Sequence, residues 1–370
     1  MGDVPPDMPV RQARPARSAP THGREVRGKP ARGRKPGGNP ASTAPRGRDS
    51  RHFAALDLGT NNCRLLIARP QGDGFAVVDA FSRIVRLGEG LAKSGRLSDA
   101  AIDRTIVALK ICAEKLKRRN VTLSRAVATE ACRRAENGAD FIARAYAETG
   151  ILLDIISAEE EARLAVLGCH ALIEPGDDPA LVFDIGGGST ELVLVDTRGG
   201  ESPRVLDWHS TPWGVVSLTE SAGHGPPGAD GGVEGRAAAY ARMRSLVSES
   251  MAGFAARLPR GIAVPRLLGT SGTVTTLASV HLGLSHYDRS QVDGLIVPAA
   301  AMRRISLDLA SKDLNQRAQL PCIGTERADL VVAGCAILET ILDLWPAERL
   351  GIADRGIREG ILRRLMESSS

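Results

Sequence analysis

A strand-like stretch interrupted by three glycines constrains this chain more than any other feature. Residues 181–196 read LVFDIGGGSTELVLVD. A dinucleotide-binding turn needs a helix directly after its glycines, whereas the β-branched segment TELVLVD predicts a strand. The stretch therefore predicts a β-hairpin. Whether the turn has two or four residues, the register places Asp184 opposite Glu191, with Cβ atoms about 5 Å apart on one sheet face.

The opposed acids and the glycines together indicate a metal ion and a phosphate. Like charges that face each other on a sheet are destabilising, so a cation is expected beside Asp184 and Glu191. Oxygen ligands next to a phosphate suit Mg²⁺ or Mn²⁺. Glycines without Cβ atoms allow backbone N–H groups to turn together toward phosphate oxygens. The alternative is an ordinary glycine turn with two solvated acids.

A second copy of this unit occurs earlier in the chain. When Asp57 is placed on Asp184, DLGTNNCRLLIA lies beside DIGGGSTELVLV. The aspartate, the glycine two places later and a leucine eight places later coincide, with strand patterns on both sides. The repeat predicts two related lobes that face one cleft.

Apolar patterns along the rest of the chain predict an α/β body with mixed sheets. FAALDL, RLLIAR and GFAVVDAF predict strands, and residues 98–120 predict a helix that Ser98 caps. Further strands are predicted at RAVATEA, ILLDII, 205–209 and RLLGT, and further helices over 138–149, from 157, and over 234–258, 272–282, 325–345 and 355–367.

Two more segments have both a functional and a structural interpretation. In SAEEEARL, Ser157 and Glu160 predict a capping box, and acids in a first helical turn suit the helix dipole. Glu161 lies on a partly apolar face, where a carboxylate with a raised pKa could act as a general base. GTSGTVTTL predicts a strand-to-helix turn that offers donors to phosphate, although Ser and Thr also cap helices routinely.

Composition narrows the class of protein. With 370 residues, 43% hydrophobic and 25% charged, the chain resembles a soluble globular protein. No apolar run approaches the roughly 18 residues of a membrane helix, and no signal-peptide pattern opens the sequence. The six cysteines are scattered without a CxxC pair. They favour a reducing compartment and a core role, so we expect a cytoplasmic protein without a membrane partner.

The positive charge lies at the N-terminus. Residues 1–52 contain twelve Lys and Arg against four Asp and Glu, a net charge of +8, while the whole chain carries +5. This segment is rich in Pro, Gly and Arg and poor in large apolar residues, which predicts disorder. It is either a solvated extension or a tether that binds polyanions.

A series of motifs runs through the body in this order: LDLGTNNCRLLIAR, VRLGEGLAKSGRLS, VATEACRRAEN, ISAEEEARLAVLG, FDIGGGSTELV, LGTSGTVTTLA, YDRSQVDG and DRGIREGIL. Together they resemble the exopolyphosphatase / guanosine pentaphosphate phosphatase (Ppx/GppA) family of the actin, Hsp70 and sugar-kinase superfamily. The resemblance implies two ribonuclease-H-like lobes, residues 53–172 and 173–370, with phosphate bound in the cleft between them. The final helix is a candidate to pack back on the first lobe.

The resemblance also implies roles for individual residues. Glu161 resembles the base that activates water, Asp184 and Glu191 resemble metal ligands, and Asp57 is expected near that metal. Arg133, a catalytic candidate, and Asn137 occupy positions that face the phosphate chain in relatives, and Arg86 is expected near the same cleft. The implied phosphate-binding residues are Gly59, Thr60, Asn61, Gly186, Gly187, Gly188, Ser189, Gly269, Thr270, Ser271, Gly272 and Thr273.

The sequence departs from the family pattern in three places. Asn62 stands where relatives often carry Ser, and Glu130 stands where they often carry Ser or Thr. Long members continue into a helical region that resembles HD phosphohydrolases, whereas this chain stops after DRGIREGIL, which predicts a short form with a weaker hold on long polyphosphate.

The expected activity is exopolyphosphatase, a Mg²⁺- or Mn²⁺-dependent hydrolysis that releases orthophosphate from the end of inorganic polyphosphate. The nearest alternative is removal of the 5′-phosphate of pppGpp by the same groups. Two further alternatives are a kinase of the shared superfamily and a non-catalytic nucleotide or alarmone sensor. The resemblance also suggests a homodimer.

Overall fold

The structure is a computed structural model that describes residues 51–198, 203–222, 231–257 and 266–369. The segment 1–52, predicted to be a disordered basic tail, lies outside these residues except for its last two. The strands are β1 (His52–Leu58), β2 (Asn62–Gln71), β3 (Gly74–Ile84), β4 (Val121–Ala128), β5 (Leu153–Ile155), β6 (Ala180–Ile185), β7 (Thr190–Asp196), β8 (Arg204–Thr211), β9 (Arg266–Thr270), β10 (Ile296–Pro298) and β11 (Arg349–Ala353). The helices are α1 (Leu91–Ser94), α2 (Asp99–Arg118), α3 (Glu130–Arg134), α4 (Gly138–Thr149), α5 (Ala158–Cys169), α6 (Val215–Ala222), α7 (Gly232–Arg257), α8 (Gly272–His281), α9 (Arg289–Val292), α10 (Ala299–Ser311), α11 (Leu314–Ala318), α12 (Gly324–Arg327), α13 (Val331–Leu344) and α14 (Ile357–Glu367).

Two mixed sheets share one topology. The first has the order β3-β2-β1-β4-β5, in which β1, β2 and β3 are antiparallel and β4 and β5 run parallel to β1. The second repeats this order as β8-β7-β6-β9-β11 and adds β10 at its edge. The two related lobes predicted from the internal repeat are therefore confirmed.

The two opening hairpins also share their turn geometry. The N–H of Gly59 donates to Asn62 O at 2.9 Å, and the N–H of Gly186 donates to Ser189 O at 3.0 Å. The register pairs Asp57 with Arg64 in the first hairpin and Asp184 with Glu191 in the second. The acid–acid pairing predicted for the second hairpin is confirmed.

Helix α5 lies between the two sheets and connects their cores. Its residues Leu164 and Ala165 pack with α14 against the first sheet. Ala162 and Val166, on another side of the helix, pack against β6, β7 and β9 of the second. The final helix α14 thus belongs to the core of the first sheet although it follows the last strand of the second. A Cβ on Gly168 of α5 would overlap the carbonyl of the segment before α14, so the two helices touch through backbone.

Several local predictions are confirmed. Ser98 caps α2 by accepting a hydrogen bond from the N–H of Ala101 at 3.3 Å. Ser157 caps α5 by accepting from the N–H of Glu160 at 3.1 Å. Five of the six cysteines are buried, all six are free thiols, and Cys322 is half-buried.

Other local predictions are wrong. The Glu160 carboxylate does not complete a capping box, because it accepts from Arg125 at 2.8 Å instead. The single helix predicted over residues 325–345 is two helices, α12 and α13. Nε of Arg317 binds the carbonyl of Ala328 between them, which removes that carbonyl from a helical ladder. In the described part of the chain, no helix is both long and apolar enough to cross a membrane.

Candidate active site

A cleft of about 150 Å³ opens between the two sheets. It is lined by the turns that follow β1, β6 and β9, by the first turn of α5, and by the segment before α14. Most of the residues that the sequence singled out line it: Asp57, Gly59, Thr60, Asn61, Glu161, Asp184, Gly186, Gly187, Gly188, Ser189, Glu191, Thr270, Ser271, Gly272 and Thr273. Asn62 and Glu130, the two departures from the family pattern, line it as well.

Four carboxylates converge on this cleft. Burial, and then the charge of Asp57, raises the pKa of Asp184 to about 6. Burial followed by Asp184 raises the pKa of Glu191, and burial followed by Glu191 raises the pKa of Glu161 well above its ordinary value. Burial also raises the pKa of Asp57, although Arg64 opposes it. Because each acid disfavours the charge of the next, the cleft attracts a cation.

Asp184 and Glu191 are the residues best placed to hold that cation. They are paired directly across β6 and β7, and Oε1 of Glu191 accepts a hydrogen bond from Ser210 Oγ at 2.9 Å. Among the described residues, no three His, Cys, Asp or Glu side chains form a complete metal site. Mg²⁺ does not require one, since it usually takes one or two carboxylates and completes its shell with water and substrate phosphate oxygens. This donor set fits Mg²⁺.

The turn after β6 directs its N–H groups into the cleft. The carbonyls of Gly186 and Gly187 accept from Val215 N at 3.0 Å and Val216 N at 2.7 Å, both at the start of α6 behind the turn. In a trans peptide the C=O of one residue and the N–H of the next point in opposite directions. The N–H groups of Gly187 and Gly188, which follow these carbonyls, therefore point away from the N–H groups of α6, and all three glycines line the cleft.

These three glycines are required because the turn leaves little space for a side chain, and not because its backbone is left-handed. None of Gly186, Gly187 and Gly188 has a positive φ. A Cβ on Gly188 would lie 2.6 Å from Thr60 Oγ1, and one on Gly187 would lie 3.1 Å from Asn61 N. The two hairpin turns therefore touch at their tips, and a larger residue at either glycine would force its neighbours to shift.

The tip of the first hairpin carries buried polar atoms that are not satisfied within the protein. Thr60 Oγ1 and Asn61 Oδ1 have no hydrogen-bond partner among the described residues. Native proteins rarely leave buried polar atoms unpaired, so such atoms in a cleft are expected to face a ligand.

The turn after β9 leads into α8 and adds a third set of donors. Ser271 has φ 89° and ψ 179°, a conformation that is essentially restricted to glycine. Its hydroxyl donates to Ile185 O at 2.7 Å, which ties this turn to the second hairpin. The N-terminus of α8 thereby lies in the cleft, where its free N–H groups favour an anion.

Glu161 projects into the cleft from the first turn of α5 and is only 7% exposed. Nη1 of Arg133 donates to Oε2 of Glu161 at 3.2 Å and to Ile156 O at 2.8 Å. Nη2 of Arg133 donates to Glu130 at 2.5 Å. Arg133 lies behind the cleft lining and orients Glu161, so the structure does not bring it into the position expected for a phosphate contact.

Three other predicted residues lie outside the cleft lining. The side-chain amide of Asn137 accepts a hydrogen bond from the N–H of Leu97 at 2.8 Å and donates to its carbonyl at 2.9 Å, so the structure does not bring it into the position expected for a phosphate contact. Gly269 lies inside β9, where a Cβ would be 2.7 Å from the ring of Phe183, and its role is packing. Arg86 pairs with Asp329 at 2.9 Å between the two lobes.

Four basic residues of the cleft were not predicted from the sequence. Arg64, Arg327, Arg355 and Arg358 line it. Arg64 and Arg358 form no hydrogen bond or ion pair with another described residue, and burial lowers the pKa of Arg358. The hairpin register that placed Glu191 opposite Asp184 also places Arg64 opposite Asp57, so Arg64 could have been found from the sequence.

Comparisons with known proteins point to one family. A model of the Ppx/GppA phosphatase family matches residues 66–369. Exopolyphosphatase 2 of Mycobacterium tuberculosis is 32% identical over 322 residues, which cover 83% of this chain and 96% of that protein. The crystal structure of the Aquifex aeolicus family member superposes with a TM-score of 0.68 at 27% identity and covers 86% of this chain and 99% of its own. An exopolyphosphatase from Cytophaga hutchinsonii has the same fold, with a TM-score of 0.75 at 23% identity over 86% of this chain and 98% of its own.

Proposed function

Because the chain belongs to the Ppx/GppA phosphatase family, we propose that it is a metal-dependent exopolyphosphatase that releases orthophosphate from the end of inorganic polyphosphate. The observation that carries the proposal is the position of Glu161, a buried carboxylate, in the same cleft as the three donor-rich turns. A base beside a phosphate site is what hydrolysis requires, whereas a binding protein needs only the donors.

The terminal phosphate is bound by backbone and guanidinium donors. N–H groups of the turn after β6 and of the α8 N-terminus hold its oxygens from the second lobe. Arg64 and Arg358, which form no hydrogen bond or ion pair with another described residue, supply positive charge to the same cleft. Phosphoryl transfer passes through a state with charge spread over the equatorial oxygens, and donors fixed in advance stabilise that charge.

Glu161 accepts the proton of the attacking water. The water oxygen forms a bond to the terminal phosphorus while the bond from that phosphorus to the bridging oxygen breaks. The electron pair of the broken bond stays on the shortened chain, and orthophosphate is released. Arg133 holds the Glu161 carboxylate in place through its 3.2 Å hydrogen bond, so that one oxygen is available to the water.

Asp184 and Glu191 would hold the metal. When bound, Mg²⁺ or Mn²⁺ neutralises charge on the phosphate oxygens and helps to orient the terminal group. Ser210 fixes the Glu191 carboxylate, and the sheet register fixes the separation of the two acids. Asp57 lines the same cleft beside Arg64, and its charge is therefore partly compensated within the first hairpin.

The proposal is tested by measuring orthophosphate release from polyphosphate of defined length and from pppGpp, with Mg²⁺, with Mn²⁺ and with EDTA. We expect metal-dependent release, faster from polyphosphate. Faster release from pppGpp would assign the enzyme to the alternative activity, which the same groups can perform. Transfer of phosphate from ATP to a sugar without net release would identify a kinase. Tight alarmone binding without turnover would identify a sensor, and either of the last two results would overturn a hydrolase.

A further inference from the structure

The loop between β8 and α6 lies directly behind the turn after β6 and fixes its peptide planes. Gly214 approaches so closely that a Cβ there would lie 2.5 Å from Gly187 O and 2.6 Å from Gly188 N. Val215 and Val216 bind the first two glycine carbonyls with their N–H groups. Backbone N–H groups at the start of α6 therefore bind the carbonyls of Gly186 and Gly187.

The carbonyl of the third glycine, Gly188, is bound by the side chain of Ser217. Ser217 Oγ lies 3.0 Å from Gly188 O and 3.0 Å from Pro212 O, and it accepts a hydrogen bond from Gly214 N at 2.9 Å. The serine is 7% exposed and does not line the cleft. The Ser217 hydroxyl therefore contacts the turn after β6 at Gly188 and the loop before α6 at Pro212 and Gly214.

We infer that Ser217 is a positioning residue, which orients the peptide between Gly188 and Ser189 so that its N–H points at the bound phosphate. A trans peptide whose carbonyl is bound from behind must present its N–H in front. Without the hydroxyl, that peptide is free to rotate, and the donor is lost from the anion site while Glu161 and the acidic pair remain intact. The inference rests on the proposed function only for the identity of the anion.

Helix α6, which contains Ser217, also contacts the first lobe. Oε1 of Glu220, near the end of α6, accepts a hydrogen bond from Gly90 N of the first lobe at 2.7 Å. Because α6 touches the turn at one end and the first lobe at the other, the peptide that Ser217 orients is held against both lobes. A preorganised donor of this kind acts mainly on the transition state, so its loss should lower kcat more than it raises KM.

The experiment compares Ser217→Ala and Ser217→Thr with wild type and with Thr105→Val. Thr105 is a matched control because its buried hydroxyl donates to Ala101 O at 2.7 Å within α2, away from the cleft. Two quantities are measured: phosphate release from polyphosphate, and amide hydrogen exchange of the peptide that contains residues 186–189. We expect Ser217→Ala to lower kcat by about 10- to 100-fold, since a displacement of about 1 Å at a site costs up to about 100-fold. Exchange at the turn should accelerate, and Ser217→Thr should restore part of both.

An unchanged kcat and unchanged exchange in Ser217→Ala would overturn the inference, and so would an equal loss of kcat in Thr105→Val. If Ser217→Ala does not fold, Ser217→Cys provides the same comparison with a weaker donor. Failure of the proposed function is recognised separately, because wild type would then release no phosphate. In that case hydrogen exchange still decides whether Ser217 holds the turn.

Discussion

Replacing Glu161 by Gln separates catalysis from binding in this cleft. Gln has nearly the same shape, and its side-chain oxygen can still accept the hydrogen bond from Arg133, which is 3.2 Å long in the wild type. The change removes the negative charge of the carboxylate and with it the ability to take a proton. Because Glu161 is buried beside Glu191, whose charge raises its pKa, the loss of its own charge also relieves repulsion. The variant loses the ion pair with Arg133 as well as the repulsion from Glu191, so its free energy of unfolding is measured alongside its activity.

The size of the effect follows from the role of Glu161 as a base. General-base catalysis contributes roughly 10²–10⁴-fold, which corresponds to about 3–5 kcal/mol of activation free energy. We expect kcat for orthophosphate release from polyphosphate to fall by this factor in Glu161→Gln. The dissociation constant for polyphosphate, measured by calorimetry, should change by less than about tenfold, because the donors of the three turns are untouched.

The adjacent residue provides a matched control. Glu160 lies on the same first turn of α5, but its carboxylate points away from the cleft and pairs with Arg125 at 2.8 Å. Glu160→Gln should keep kcat within about threefold of wild type, since this partly exposed ion pair lies away from the cleft and pairs near the surface contribute little. Similar losses in both variants, or a Glu161→Gln enzyme with wild-type kcat, would refute the assignment of Glu161 as the base.

Three further predictions concern the metal, the acid stability and the helix contact. Asp184→Asn should raise the Mg²⁺ concentration for half-maximal phosphate release at least about tenfold, because changes around metal ligands typically cost 10–100-fold; an unchanged titration would exclude Asp184 as a ligand. Asp79, whose pKa is lowered to about 2 chiefly by a hydrogen bond from Lys115, contributes stability above its ordinary pKa of 3.8 that is lost as pH falls through about 2. Asp79→Asn should therefore lower the free energy of unfolding in urea by about 1 kcal/mol at pH 7 and by much less near pH 2, where the native carboxyl is partly protonated; the same loss at both pH values would contradict this. Gly168→Ala should lower the free energy of unfolding, measured by calorimetry, by about 1–3 kcal/mol, because the new Cβ would meet backbone atoms. Gly253→Ala, at an exposed site in α7 with open space around it, should raise it by up to about 1 kcal/mol. Equal effects of the two substitutions would contradict the close contact at Gly168.

The parts of this protein that depend on local pattern were predictable. The pairing of Asp184 with Glu191 follows from the hydrogen-bond pattern of a hairpin and needs no knowledge of the rest of the fold. The match of Asp57 with Asp184 indicated the duplicated lobe, and the sheet orders confirm it. The same register rule would have identified Arg64, which shows that the signal was present.

The parts that depend on distant segments were not predictable from local pattern. Arg355 and Arg358 reach the cleft because α14 packs on the first sheet, which brings the end of the chain beside its first turn. Asn137 shares a motif with Arg133, but a hydrogen bond with the backbone of Leu97 fixes the orientation of its side chain. Ser217, at the start of α6, contacts the carbonyl of Gly188, which lies nearly thirty residues earlier in the chain.

The matching turns of the two lobes differ in the residue that faces their aspartate. The first copy carries the basic residue Arg64 at that position, whereas the second carries the acid Glu191. In the proposed enzyme, the second copy supplies the acidic pair for the metal, and the first supplies a guanidinium for the phosphate. The two halves therefore divide the binding of cation and anion between them, although they share one backbone plan.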